Sequence, residues 1–197
     1  SFGQSYVVVS DEKHIPWFDG YYKDLGVTRW DRYVDYLRNQ KKFAPAVVTG
    51  MQDNLFKIAD LLGDPNGMNF KRKGLIVGDV QSGKTANYVG LMNLATDARY
   101  KLIIVLTGTT NTLREQTQIR IEEGLGKANL SKGVSIIQNT NYKEFAHKNP
   151  VYLTSKQSDF DTNSKKNIQQ SIETTNVPII IVTKKNSTAL QNIYEWL

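Results

Sequence analysis

Cysteine is absent from the 197 residues, which excludes disulfides and thiolate-held metal. Histidine occurs only as His14 and His147, too widely spaced in sequence for a dense metal cluster. Long apolar runs are also lacking. The longest, "LIIVL" at 102–106 and "PIIIV" at 178–182, fall far short of the roughly 20 residues of a membrane span. No basic-then-apolar start has the form of a secretory signal. The default expectation is therefore a soluble cytoplasmic protein with no membrane partner. A strong excess of one charge is missing too: 25 Lys+Arg against 19 Asp+Glu leaves +6, compatible with a polyanion partner or with ordinary solvated surface.

What is present is ordinary globular composition, 40% hydrophobic and 22% charged, in a length that suits one domain with a small extension. Residues 1–70 read as a helical N-terminal extension. "VTRWDRYVDYLRNQ" places Trp30, Tyr33, Val34 and Leu37 at helical spacing behind Thr28 as N-cap. "APAVVTGMQDNLFKIADLLG" repeats the pattern with Val48, Met51, Leu55, Ile58 and Leu62, opened by Pro45 and closed by Gly63. The aromatic cluster Trp17, Phe18, Tyr21 and Tyr22 has two readings, core packing and base stacking, and packing is the commoner.

From residue 71 the pattern becomes α/β. Expected strands are "GLIVG" (74–78), "KLIIVLT" (101–107), "GVSIIQ" (133–138) and "PIIIVT" (178–183). Helices follow in "GKTANYVGLMNLATDA", "TNTLREQTQIRIEEGL" and "STALQNIYEWL". Runs apolar on both faces and separated by helices are what a buried parallel sheet with crossovers requires. Residues 139–176 read as polar loop with one short helix near Lys165–Glu173.

One segment carries chemistry. Gly78, Gly83, Lys84 and Thr85 satisfy G-x-x-x-x-G-K-[ST] between an expected strand and a helix. The two glycines allow backbone to approach phosphate oxygens, and the amides of Ser82 to Thr85 meet the positive end of the following helix, with Gln81 a further nucleotide-binding candidate in the loop. Lys84 supplies a point charge at the β- and γ-phosphates, and the Thr85 hydroxyl suits Mg²⁺. Guanine-specific loops carry a downstream Asn-Lys-x-Asp that does not occur here, so ATP is the expected nucleotide.

The element after the second strand resembles the Pro-Thr-Arg-x-Leu-x-x-Gln turn of superfamily 2 helicases and translocases. Thr110, Leu113 and Gln116 hold the Thr, Leu and Gln places, while Thr109 and Asn111 replace the Pro and Arg. The resemblance implies contact with the phosphates of one nucleic-acid strand, with Arg114, Gln116 and Arg120 assisting. Lys184, Lys185, Asn186 and Ser187 follow the last strand much as that superfamily's Thr-Pro-Gly-Arg turn does. The nucleic-acid candidates are thus Thr110, Asn111, Arg114, Gln116, Arg120, Lys184 and Lys185.

Over "RKGLIVGDVQSGKTANYVGLMNLATDARYKLIIVLTGTTNTLREQTQIRIEEGLG" the chain resembles the Z1-domain family associated with endonucleases. The shared positions include Val80 to Thr85, Asn87, Tyr88, Gly90, Asp97, Asn111, Arg114, Gln116 to Gln118 and Arg120, and "HIPWF", "RWDRYVDYL" and "DPNG" extend the likeness upstream. The resemblance implies a RecA-like P-loop NTPase lobe with a parallel sheet and flanking helices. It also implies ATP and Mg²⁺ as cofactors, DNA as partner, and a bacterial restriction or defence setting with partners from that system. No acidic cluster with a lysine at nuclease-like spacing accompanies it.

One requirement of hydrolysis is missing: no apolar run is followed by Asp-Glu or Asp-Asp. In the resembling family the acidic strand follows a helix like "STALQNIYEWL". The expectation is that 71–197 is the first part of a lobe, truncated before its Walker B strand. The second ATPase lobe would then lie in the remainder of a parent chain, and the segment alone would hydrolyse ATP poorly or not at all. The alternative is a nucleotide-binding switch or assembly module without translocation. A small-molecule phosphotransferase would need a lid and substrate-binding arginines, whereas Lys71, Arg72 and Lys73 precede the loop.

Overall fold

The computed structural model describes residues 14–67, 71–76, 83–142, 144–145, 148–161 and 176–197. The chain divides into two compact units, Ser1–Arg99 and Tyr100–Leu197.

The first unit is helical: α1 (Phe18–Lys23), α2 (Arg29–Asp35), α3 (Pro45–Leu61) and α4 (Lys84–Asp97). Thr28 starts α2 through a reciprocal cap, accepting from the Asp31 amide at 3.1 Å while the Asp31 carboxylate accepts from the Thr28 amide at 2.9 Å. The chain runs on from α2 into a wider π-helical turn, Tyr36–Gln40. Pro45 opens α3, where its missing N–H costs nothing. The buried stripe of α3 is Val48, Met51, Leu55 and Ala59; Ala59 takes the place expected of Ile58, which is half-buried. Asp60, in the last turn of α3, accepts from the backbone amides of Trp17 and Phe18, each at 2.8 Å, and so caps α1 from outside it. The aromatic cluster is packing: Phe18 lies 5.5 Å from Phe56 and Tyr22 lies 4.8 Å from it, and the Trp17 indole donates to Leu62 O at 2.9 Å.

Helix α4 enters this core at Gly90. A β-carbon there would come within 2.6 Å of Leu55 Cδ1 and 2.9 Å of Trp30 Cζ3, so only glycine lets α4 lie this close to α2 and α3. At the far end of α4 the Asp97 carboxylate accepts from the amides of Arg29 and Trp30 at 2.9 and 3.0 Å, satisfying the first turn of α2. Burial pushes its pKa up to about 7, even though those two bonds and the Arg29 charge favour the anion. The folded state therefore holds this proton more tightly than the unfolded chain, whose carboxyl titrates near 3.8. The resulting stability is fully present below that value and is lost as pH rises through about 7. Wild type should melt lower at pH 8.5 than at pH 5.5, and Asp97→Asn should show a smaller difference between the two. Equal differences would show that Asp97 is not the group responsible.

The second unit holds a three-stranded parallel sheet in the order β1-β3-β2, with β1 Leu102–Thr107, β2 Val151–Tyr152 and β3 Ile179–Lys184. Its helices are α5 (Asn111–Leu125) and α6 (Ser187–Trp196). Register runs from Leu102 opposite Ile179 to Thr107 opposite Lys184. Ile179 to Thr183 are all buried, the both-faces burial expected of a central parallel strand. Helix α6 packs Ile193 and Trp196 against Phe160, Ile181, Leu102 and Ile104, while α5 packs on β1 and β3.

The expected strand at 133–138 is not formed, and the described part of the one at 74–78 is not strand. Residues 133–138 begin with a 3₁₀ turn, Gly133–Ile136, in which Gly133 has φ +67 and a β-carbon would sit 2.2 Å from Glu123 O. That close seat against α5 requires the left-handed glycine and removes the segment from the sheet. The strand found instead is the short Val151–Tyr152, inside the stretch read as loop. Residues 74–76 have no regular structure, and Leu75 and Ile76 are exposed. A strand exists only where a neighbour pairs with it, and no described residue does so here. The remainder of "GLIVG" and the expected helix near Lys165–Glu173 lie outside the described residues.

Candidate functional site

Gly83, Lys84 and Thr85 form the entry to α4; Gly78, Gln81 and Ser82 lie outside the described residues. Gly83 is the N-cap at φ 69, ψ 26, a left-handed conformation that would cost another residue about 1–2 kcal/mol. Lys84 is exposed and Thr85 half-buried. No carboxylate occupies the first turn of α4. The positive end of this helix therefore carries no acidic side chain of its own turn, a setting suited to phosphate. Among the described residues no group of three or more acidic or histidine side chains could hold a metal.

In the second unit, parallel register brings the ends of β1 and β3 side by side, and the Thr107 hydroxyl donates to Thr183 O at 3.2 Å. Each strand exit leads into a capped helix. Thr110 accepts from the Leu113 amide at 3.3 Å to open α5, and Asn186 accepts from the Ala189 amide at 2.8 Å to open α6. Leu113 lies over Gly108, where a β-carbon would fall within 2.8 Å of its Cδ1, so the first exit turns tightly. Thr110, Asn111, Gln116, Arg120 and Lys185 are exposed, and Lys184 is half-buried with its Nζ 3.9 Å from Asp159 Oδ2.

Arg114 is placed differently from its neighbours. It is only 2% exposed, and its guanidinium donates to Ser155 O and Lys156 O, both at 2.7 Å, with Nε 3.9 Å from Asp159 Oδ2. Its charge is turned into the unit, against the loop that follows β2, rather than toward the exposed face of α5. Gln118 continues this inward line, donating to Glu122 at 2.8 Å and Thr154 O at 3.2 Å while accepting from the Thr154 hydroxyl at 2.9 Å. Thr154 in turn accepts from the Val182 amide at 2.9 Å.

Sequence reading missed this network, although Arg114, Gln118 and Glu122 fall at four-residue spacing and so share one face of α5. Asp159 was missed as well. It accepts from the Thr183 hydroxyl at 2.5 Å and the Lys184 amide at 3.4 Å, which sets a carboxylate at the carboxyl end of β3 from a distant loop.

A small parallel sheet flanked by helices, with strand exits feeding capped helix starts and an N-terminal helical region ahead of it, defines a partial RecA-like helicase lobe. The family model for type III restriction enzyme, res subunit, matches residues 27–182, and the chain belongs to that family. It is a helicase-like ATPase domain related to restriction systems, and nucleotide use follows from that membership. No curated protein and no solved structure matches it. Among the described residues, no helix is long and apolar enough to cross a membrane.

Proposed function

We propose that this chain is the ATP-binding portion of a nucleic-acid-dependent ATPase of the Z1 type, working with an endonuclease in a restriction or defence system. The amides of Gly78, Gln81, Ser82 and Gly83 cradle the phosphates, and Lys84 neutralises the β- and γ-oxygens. Thr85 ligates a Mg²⁺ that screens the phosphate charge. DNA lies across the carboxyl edge of the sheet. The observation that carries this reading is the in-register end of β1 and β3 at Thr107 and Lys184, which sets two capped helix starts beside two lysines. Thr110 and Asn111 at one exit and Lys184 and Lys185 at the other offer amides, hydroxyls and cations to successive backbone phosphates, with Gln116 and Arg120 further along α5.

Arg114 is assigned a positioning role: it holds the 155–156 loop against α5 and leaves the phosphates to its exposed neighbours. By sequence pattern, 1–70 is the helical extension and 71–197 the start of the ATPase lobe, with α4 of that lobe packed on the extension's helices within the first compact unit.

The test is DNA affinity measured across salt concentration. Each phosphate contact contributes about one unit to the slope of log affinity against log salt, so Lys185→Ala and Arg120→Ala should each flatten it by about one. Unchanged slopes, together with ATP turnover indifferent to DNA, would favour a nucleotide switch or assembly module.

A further inference from the structure

We propose that the helices ahead of the phosphate loop are a working part of the nucleotide site, with Tyr33 and Asp97 as positioning residues that fix α4 at its two ends and so set Lys84 and Thr85. The inference rests on the reading that those two residues hold ATP–Mg²⁺.

Polar contacts at both ends of α4 carry it, and burying the helix would not require them. The Tyr33 hydroxyl donates to Ala86 O at 3.2 Å, one residue beyond Thr85, from a side chain only 3% exposed. The Asp97 carboxylate holds the Arg29 and Trp30 amides at the opposite end of the same helix, and the Tyr21 hydroxyl donates to Asp97 O at 3.1 Å. Between them Gly90 brings the helix within contact of Trp30 and Leu55. Residues 86 and 97 are separated by roughly 16 Å of helix, so fixing both ends determines where its first turn points. Clamped in this way, α4 cannot tilt to follow a nucleotide without disturbing the start of α2. By linkage, ATP bound at Lys84 then tightens α2 as much as α2 tightens ATP.

The test uses the full 197-residue chain and ATP–Mg²⁺. Tyr33→Phe removes one hydroxyl and keeps the ring against Trp30 and Gly90. Measured well below melting, its ATP affinity should fall roughly three- to tenfold, the range for a lost hydrogen bond. In wild type, ATP should slow hydrogen exchange at the Arg29 and Trp30 amides. A purely structural hydroxyl would lower the melting temperature and leave affinity unchanged, which would overturn the proposal. Should Tyr33→Phe fail to fold, exchange at Arg29 and Trp30 decides: unaltered rates with ATP bound overturn it. Lys84→Ala separates the two levels. If wild type binds ATP and Lys84→Ala does not, the phosphate loop stands whatever Tyr33→Phe shows. If wild type binds no ATP, both fall.

Discussion

Lys84→Ala is expected to lower ATP affinity at least roughly a hundredfold while leaving the fold intact. Charge-assisted hydrogen bonds to phosphate contribute about 1.5–3 kcal/mol each, and an ammonium with three donors can serve more than one oxygen. The separation between function and stability follows from its place. Lys84 is exposed in the first turn of α4, where a cation opposes the positive end of the helix dipole. Without nucleotide, alanine there should be neutral or stabilising by about 0.3–1 kcal/mol. Titration calorimetry beside a thermal melt reads both quantities. Undiminished affinity would remove the phosphate site from α4, and a collapsed melt would show that the lysine serves the fold instead.

Arg114→Ala should do the reverse. The expected result is severe destabilisation of the second unit, about 3–5 kcal/mol, with no change in the salt dependence of DNA binding by the protein that remains folded. The guanidinium is buried, and its removal strands two carbonyls, Ser155 O and Lys156 O, and takes a cation away from Asp159. It also leaves a cavity beneath α5. Such a loss is a large share of the 5–15 kcal/mol that separates folded from unfolded protein. Arg114→Lys keeps the charge but cannot span both carbonyls, so it should recover only part of the loss. Denaturant melts measure the cost. Normal stability with a flattened salt slope would place the guanidinium on the DNA after all.

These opposite expectations for two basic residues show how far sequence reading extends. Lys84 stands in a G-x-x-x-x-G-K-[ST] spacing that by itself points to a phosphate, and the structure puts it in the first turn of α4. Arg114 and Arg120 share helix α5 and the same charge, so composition and motif position favour neither. Burial distinguishes them, and it depends on the 155–159 loop arriving from elsewhere in the chain.

Local signals did determine a good deal. Thr28, Thr110 and Asn186 cap helices because a side-chain oxygen three residues ahead of an amide is a short-range event. The apolar runs at 102–107 and 179–184 became strands that pair in parallel register, β3 buried from Ile179 to Thr183 and β1 half-buried beside it, because an uninterrupted apolar run of this length suits a parallel sheet. Tertiary structure decided the rest. "GLIVG" and "GVSIIQ" have strand composition, but a strand needs a paired neighbour: residues 133–136 turn against α5 and residues 74–76 pair with no described residue. It was also tertiary packing that brought Asp159 to Thr183 across 24 residues and fastened Tyr33 to Ala86 across 53, because burying a polar group demands a partner wherever in the chain one can be supplied.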